Sequence, residues 1–368
     1  MKVIHLGKFC PPNEGGIELF SYDLLEYLNF KGIKADLLCF DYNNKNSNYR
    51  LFDYYGCKMN IKLNSAPISY NYLKNFFKIA EEYDIIHSHV PNPLADFLSL
   101  FTNKKLIIHW HSDIVKQKIF YKFYKPLQQK AIKKANKIIC ASPQYLESSL
   151  QLKEVQKKAV IIPLGLGIKR LKADSTDKAF NKISNIVKDK KIILALGRLV
   201  EYKGFEYLVE AGKYIREDAI IFIAGGGPLY NKLIDKVKSL NLEKKVYILG
   251  RVDNIKPFME LCDIFCLPSI TKNEAFGLVL VEALYFGKPL VTTDVEGSGM
   301  SYVNQNGVTG LVVPPRDPKS LSNAFNTILS DKELYEKFSK NAYERFKEFE
   351  ISNIGDKVIN LYKEVLNC

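Results

Sequence analysis

The chain of 368 residues is 47% hydrophobic and 25% charged, the proportions of a soluble globular protein with room for two domains, each with its own core. No apolar run approaches the roughly 18 residues that a helical membrane span needs, and the opening Met1-Lys2-Val3-Ile4-His5-Leu6-Gly7 is too short and too soon broken for a signal peptide. The net charge of +13 is uneven: residues 1–168 hold 23 Lys+Arg against 14 Asp+Glu, or +9, and the remaining 200 hold 30 against 26, or +4. The first half is therefore expected to meet an anionic partner (membrane surface, nucleic acid or phosphorylated substrate), unless its lysines serve only solubility.

In the first half, strand-like and helix-like runs alternate: Val3–Leu6, helix 16–31, Ala35–Phe40, helix 71–82, Ile85–His87, helix 93–101, Leu106–His109, helix 118–136, Lys137–Cys140, helix 143–150 and Val160–Ile162. Such alternation predicts βαβ units on a parallel sheet, whose ligands gather at the carboxyl ends of the strands. After the first strand comes Pro11-Pro12-Asn13-Glu14-Gly15-Gly16-Ile17-Glu18 and then an amphipathic helix. The paired glycines let the backbone approach a ligand phosphate, or simply make a flexible turn. The run is not GxGxxG, which argues against a dinucleotide-binding start.

All five histidines fall in the first 111 residues, four of them as the pairs His87/His89 and His109/His111. The i, i+2 spacing is read as sending the two side chains of a pair to opposite faces, so a shared metal ion is not expected. His87 and His109 read as core or strand-end residues. His111, beyond its strand in Trp110-His111-Ser112-Asp113, is the polar candidate. Residues 114–137 carry eight lysines and no acid, interleaved with Phe120, Phe123 and Tyr124. This is either a basic amphipathic surface that docks on anionic lipid or a core-facing helix with a solvated lysine face. The cysteines at 10, 39, 57, 140, 262, 266 and 368 include no CxxC and read as reduced core thiols of a cytoplasmic protein.

Residues 169–190 are polar and lysine-rich and are placed as the interdomain linker. A second series follows: Ile192–Leu196, helix 204–216, Ile220–Ala224, helix 228–240, Val246–Leu249, helix 254–262, Ile264–Leu267, helix 277–286, Pro289–Thr293, Gly310–Val313 and helix 318–329, closed by helices 332–348 and 351–366. Arg198 and Lys203 flank the loop after its first strand, a guanidinium fork and a point charge suited to a diphosphate. Gly225-Gly226-Gly227-Pro228 follows the next strand. Lys245 occupies the position where a ribose-binding carboxylate of a nicotinamide enzyme would stand. Glu274 sits in the loop before helix 277–286, whose start is a ready anion site, and Glu282 sits inside that helix.

In their order and spacing, Glu14-Gly15-Gly16, His111, Gly197-Arg198 with Lys203-Gly204, Ala224 through Leu229, and Glu274 through Pro289 resemble the retaining glycosyltransferases of family 4. Pro91 through Ala95, His109 through Lys118 and Gly297 through Asn304 resemble further the bacterial mannosyltransferases of O-antigen and related surface polysaccharides. The resemblance implies an α/β GT-B fold of two Rossmann-like parallel-sheet domains facing each other across a cleft. Residues 1–168 would bind the acceptor and 191–350 the nucleotide sugar, with helix 351–366 crossing back to the first domain. It implies that Arg198 and Lys203 hold the donor diphosphate and that Glu274 bonds sugar hydroxyls, aided by amides from Ala275, Phe276, Gly277 and Leu278. Glu282 would bond the ribose, and Arg251-Val252 would lie against the base. Gly226 would line the donor site, Gly15 and Gly16 would approach the phosphates, and His111 would touch the donor sugar near its C6 hydroxyl. Asn13, Glu14 and Asp113 fall on the acceptor side.

Sugar–diphosphate cleavage builds negative charge on the leaving phosphate, which many sugar transferases meet with a metal held by Asp-x-Asp. This sequence contains no Asp-x-Asp, so Arg198 and Lys203 are expected to replace the metal and no cofactor is expected. The expected activity is transfer of mannose from GDP-mannose, or of a sugar from a UDP-sugar, to a polyprenyl-diphosphate-linked glycan at the inner face of the cytoplasmic membrane. A non-hydrolysing nucleotide-sugar epimerase is the nearest rival. A basic nucleic-acid-binding protein is a more distant one, for which no binding motif is present.

Overall fold

The computed structural model describes residues 1–10, 15–41, 51–63, 66–114, 118–172, 177, 180, 183 and 186–367. The chain divides into two compact units, one of Met1–Gly167 with Glu350–Cys368, the other of Ile168–Phe349. The first contains a seven-stranded sheet with β1 (Lys2–Leu6), β2 (Lys34–Asp41), β3 (Tyr54–Lys58), β6 (Ile85–Val90), β7 (Lys105–Trp110), β8 (Lys137–Cys140) and β9 (Ala159–Ile161). Its order is β3-β2-β1-β6-β7-β8-β9 and every pair is parallel. A separate antiparallel hairpin joins β4 (Ile61–Leu63) to β5 (Ala66–Ile68).

The second unit has β10 (Lys191–Leu196), β11 (Ala219–Ala224), β12 (Val246–Gly250), β13 (Ile264–Leu267), β14 (Leu290–Thr293) and β15 (Gly310–Val313), in the order β12-β11-β10-β13-β14-β15, again all parallel. With the hairpin set aside, both sheets follow the Rossmann order, and each has one switch point: between β1 and β6, and between β10 and β13. The core strands read Ile-Ile-Leu-Ala-Leu and Ile-Ile-Phe-Ile-Ala because both faces are covered by helices. Side-chain caps fix several helix starts: Ser69 accepts from Tyr72 N at 3.2 Å and Asp331 from Leu334 N at 2.9 Å, and Asn92, Ser142 and Asp317 each cap a helix that opens on proline.

The helix Ile351–Asn367 belongs to the first unit, where Ile354, Val358 and Tyr362 are buried and Tyr27 donates to Asp356 at 2.8 Å. Strands β3, β4 and β5 were not legible in the sequence. Residues 169–172 form a short helix, and Asp177 accepts from the backbone N–H groups of Asp253 (2.8 Å) and Asn254 (3.1 Å), so the stretch expected to be a linker is packed on the second unit at that point. The six described cysteines are free and buried. No helix among the described residues is long and apolar enough to cross a membrane.

Candidate active site

In the second unit the predicted donor residues collect at the carboxyl ends of β10–β13. The loops after β10, β11 and β12 lie backbone against backbone: Gly197 N donates to Ala224 O at 3.0 Å, Leu199 N to Gly226 O at 2.9 Å, and Gly225 N to Gly250 O at 2.7 Å. Gly225 has φ 145°, and a Cβ there would lie 1.9 Å from the Gly197 carbonyl oxygen, so only glycine permits the approach. Gly226 and Arg251 face each other across these loops. Arg198 and Arg251 are exposed, and Val252 is half-buried.

Across the switch point, a short 3-10 turn Glu201–Lys203 ends at Gly204 in the left-handed region (φ 67°). A Cβ at Gly204 would lie 2.1 Å from the Pro268 carbonyl, and Ile270 N bonds Tyr202 O at 2.8 Å, which pins this loop to the one after β13. The pinning brings Lys203 and Glu274 together as an ion pair, 8% and 9% exposed. Burial works against the Lys203 ammonium, but the Glu274 carboxylate beside it prevails and raises its pKa. Ser269, fully buried, donates to Glu274 Oε2 at 3.2 Å, while Ser298 Oγ donates to the Glu274 carbonyl and Gly299 N bonds Ala275 O at 2.8 Å. Ser269 and Ser298 were not picked out as site residues. Their only signal was position, one at a strand end after Pro268, the other in a glycine-flanked loop.

Ala275, Phe276 and Gly277 lead into the helix Leu278–Tyr285, with Gly277 (φ 82°) at its N-cap. The first four N–H groups of any such helix lack an intrahelical partner. Glu282 is buried one turn inside it. Arg198 and Lys203 after β10 and the helix start after β13 thus supply positive potential at two adjacent strand ends, and Glu274 supplies a fixed acceptor beside Lys203.

In the first unit, Gly15 caps and Gly16 opens the helix Gly16–Phe30, with the Glu18 carboxylate folded against Gly15. Asn13 and Glu14 lie outside the described residues. Burial raises the Glu18 pKa, against the pull of a backbone hydrogen bond and of Lys8. A cavity of about 140 Å³ at the switch point is lined by Lys8, Glu18, Ser21, His89, His111 and Ser112 among others. Asp113 is held by its neighbours: its Oδ1 accepts from Trp110 Nε1 at 3.0 Å and Ser149 Oγ at 2.7 Å, the bonding of a structural staple.

The histidine expectation needs correction. Side chains in a strand alternate, so residues i and i+2 share a face. His87 and His89 stack at 4.8 Å, and His109 and His111 at 4.4 Å. With His5 at 4.3 Å from His87 they form one buried five-ring stack. Two triads, His5/His87/His89 and His89/His109/His111, have nitrogens within 4.8 Å of one another. The rings lie within 5–32° of parallel and are joined through N···N hydrogen bonds, the geometry of a ladder of neutral imidazoles. Burial, and then repulsion between neighbours, lowers the pKa of four of them; burial alone brings His89 down to about 3.

Comparison with known proteins agrees with this geometry. Residues 176–345 match the family described as "Glycosyl transferases group 1", and residues 14–170 match "Glycosyltransferase Family 4". The chain is 33% identical to O-antigen chain mannosyltransferase C of Escherichia coli over 100% of this chain and 99% of that one. It is 29% identical to the D-rhamnosyltransferase WbpZ of Pseudomonas aeruginosa over 95% and 92% of the two chains. Among solved structures, Anabaena Alr3699/HepE in complex with UDP superposes with a TM-score of 0.81 at 21% identity, covering 99% of this chain and 100% of that one. With full-length identity above 30% to one relative and two Rossmann-like domains shared with the other, the chain belongs to the family 4 glycosyltransferases of the GT-B fold.

Proposed function

We propose that the protein is a retaining, metal-independent mannosyltransferase that moves mannose from GDP-mannose to a polyprenyl-diphosphate-linked glycan in O-antigen-type surface-polysaccharide synthesis. The reaction type is carried by one observation, the buried Lys203–Glu274 pair at the switch point, with Arg198 in the same loop as Lys203. The choice of mannose rests on the 33% identity with the O-antigen mannosyltransferase.

As the anomeric C–O bond breaks, negative charge gathers on the leaving diphosphate. The Arg198 guanidinium, the Lys203 ammonium and the amides before Leu278 meet that charge, each such donor supplying about 3 kcal/mol of barrier lowering. Glu274, fixed by Lys203 and Ser269, accepts from a sugar hydroxyl and holds the ring in place. Glu282 bonds the ribose, and Arg251 and Val252 lie against the base. The acceptor hydroxyl attacks from the face the phosphate leaves, forming the new C–O bond while its proton passes to a phosphate oxygen. His111 contacts the sugar. A lipid-linked acceptor accords with the surface of the helix Lys118–Lys134, where Phe123 is 83% exposed between Lys122 and Lys125, both exposed.

The test is transfer by the purified protein in EDTA, with GDP-mannose, GDP-D-rhamnose and UDP-glucose offered beside a lipid-linked glycan. Transfer from GDP-mannose with retained anomeric configuration is expected. Transfer from UDP-glucose alone would overturn the donor, a requirement for Mn2+ would overturn metal independence, and release of an epimerised nucleotide sugar without acceptor would overturn the reaction.

A further inference from the structure

Five imidazoles and one phenol in the first unit form a continuous hydrogen-bonded ladder. One rail runs from Tyr362 Oη to His5 Nε2 (3.1 Å), from His5 Nδ1 to His89 Nε2 (2.9 Å), and from His89 Nδ1 to His111 Nε2 (2.9 Å). The other runs from Tyr362 Oη to His87 Nδ1 (2.5 Å) and from His87 Nε2 to His109 Nδ1 (3.2 Å). Two buried ring nitrogens at the far ends lack a partner, His111 Nδ1 and His109 Nε2.

A neutral imidazole has one N–H and one lone pair. Each bond within a rail therefore dictates the next, and only two assignments also give the single Tyr362 hydroxyl hydrogen an acceptor in the ladder; a third, in which both His5 and His87 donate to Tyr362, leaves that buried O–H without one. In the first, every ring is protonated at Nδ1: donation runs from His109 to His87, to the Tyr362 oxygen, and on through His5 and His89 to His111. In the second, every ring is protonated at Nε2 and all directions reverse. Burial keeps the rings neutral, which is the condition for the argument.

Two observations choose the first. Ser21 Oγ donates to the Ile17 carbonyl at 2.8 Å, the usual back-bond of a helical serine, and lies 3.3 Å from His89 Nδ1. With its proton given to that carbonyl, the oxygen can only accept, so the contact is a hydrogen bond when His89 Nδ1 carries the hydrogen, shared between His111 Nε2 at 2.9 Å and Ser21 Oγ at 3.3 Å. The second concerns the unmatched N–H. In the reversed ladder it falls on His109, which is 0% exposed, whereas in the forward ladder it falls on His111, which lines the 140 Å³ cavity. A buried donor without a partner is the costlier orphan, and His111, unlike His109, is among the residues that line a cavity where a ligand oxygen could meet it.

We infer that His111 enters the site as an Nδ1–H hydrogen-bond donor, held in that tautomer by the histidine ladder with Ser21 and Tyr362 as positioning residues, and that it grips an acceptor oxygen of the bound sugar. The sugar contact rests on the reading of His111 given above; the tautomer does not. Ser21 lies in the helix Gly16–Phe30 and Tyr362 in the helix Ile351–Asn367, so both ends of the chain set the polarity of one ring.

Protein labelled with 15N-histidine reports the tautomer directly through long-range 1H–15N correlations. All five rings of the unliganded protein should show protonated Nδ1 and bare Nε2, and a His111 ring protonated at Nε2 would overturn the inference. Ser21→Ala should let the reversed form appear at His89 and His111, and Ser21→Thr, which keeps the hydroxyl, should restore the single form. An unchanged Ser21→Ala spectrum would remove Ser21 from the argument, and should that variant fail to fold, the wild-type spectrum decides alone. Saturating GDP-mannose should then move the His111 Nδ1–H resonance. A spectrum with Nδ1–H at His111 that GDP-mannose leaves in place would keep the tautomer and overturn the sugar contact.

Discussion

At the scale of single residues, the second unit turns on one buried charge pair. Removing one partner of such a pair strands the other charge in the interior, at a cost of about 3–5 kcal/mol. Lys203→Ala should therefore lower the urea midpoint of the second unit as well as its turnover. Arg198 is exposed, so Arg198→Ala should shift stability by no more than about 0.5 kcal/mol. The two cations were legible as residue types at a strand end. The pair with Glu274 was not, because 71 positions of sequence separate partners that only the pinning of two loops brings together. The histidines were legible one by one, and the five-ring stack was missed through a miscount of strand periodicity. Its consequence is an acid limit on the first unit. Unfolded imidazoles take up protons below about pH 6.5 while the buried ones stay neutral, so the unfolded chain binds more protons and stability falls as pH falls. The stabilisation is fully present above about 6.5 and is lost below it, at about 1.4 kcal/mol per pH unit for each ring, down to about 3 for His89. Thermal unfolding followed at pH 7.5, 6.5 and 5.5 should show little change over the first step and a steep drop over the second. A flat profile would mean that the rings are charged or exposed.

At the scale of elements, both sheets were readable because parallel strands buried on two faces announce themselves as short apolar runs. The edge strand Tyr54–Lys58 was not: its sequence Tyr-Tyr-Gly-Cys-Lys has a central glycine and no alternation, features tolerated where a strand is paired on one side only. The loops that carry the proposed donor site depend on close backbone approach. Gly225→Ala puts a methyl group into the Gly197 carbonyl, so it should displace the loop bearing Arg198 and weaken GDP binding in calorimetry even though no ligand-contacting side chain changes. The helix Leu278–Tyr285 makes a separate prediction. Glu282→Gln should weaken GDP binding more than it slows turnover at saturating donor, while Glu274→Gln should chiefly slow turnover. Unchanged GDP affinity in Glu282→Gln would remove it from the ribose site.

At the scale of the whole molecule, the first unit is built from both ends of the chain, whereas the second is one continuous stretch. A chain ending at Phe349 lacks Tyr362, the junction of both histidine rails. Hydrogen exchange in that variant should speed up across β1, β6 and β7 and stay slow across β10, β11 and β13. The surface of the first unit makes its own prediction: Lys122, Lys125 and Lys130 are exposed on the same helix as the exposed Phe123. Each lysine near an anionic membrane contributes about 1 kcal/mol, so the protein should pellet with anionic vesicles at low salt and less at high salt. Replacing the three lysines by glutamate should abolish pelleting without touching nucleotide binding, and equal pelleting with neutral vesicles would return this helix to a solvated face.

In the proposed mechanism fixed protein charges stabilise the leaving diphosphate in place of a metal ion, and the most direct measurement is the rate of mannosyl transfer from GDP-mannose in excess EDTA, for wild type and for Arg198→Ala. The prediction is a wild-type rate unchanged by EDTA and a variant slowed by about 10²–10³-fold while still folded. A wild type silenced by EDTA and revived by Mn2+, or an Arg198→Ala enzyme that turns over at the wild-type rate, would contradict it.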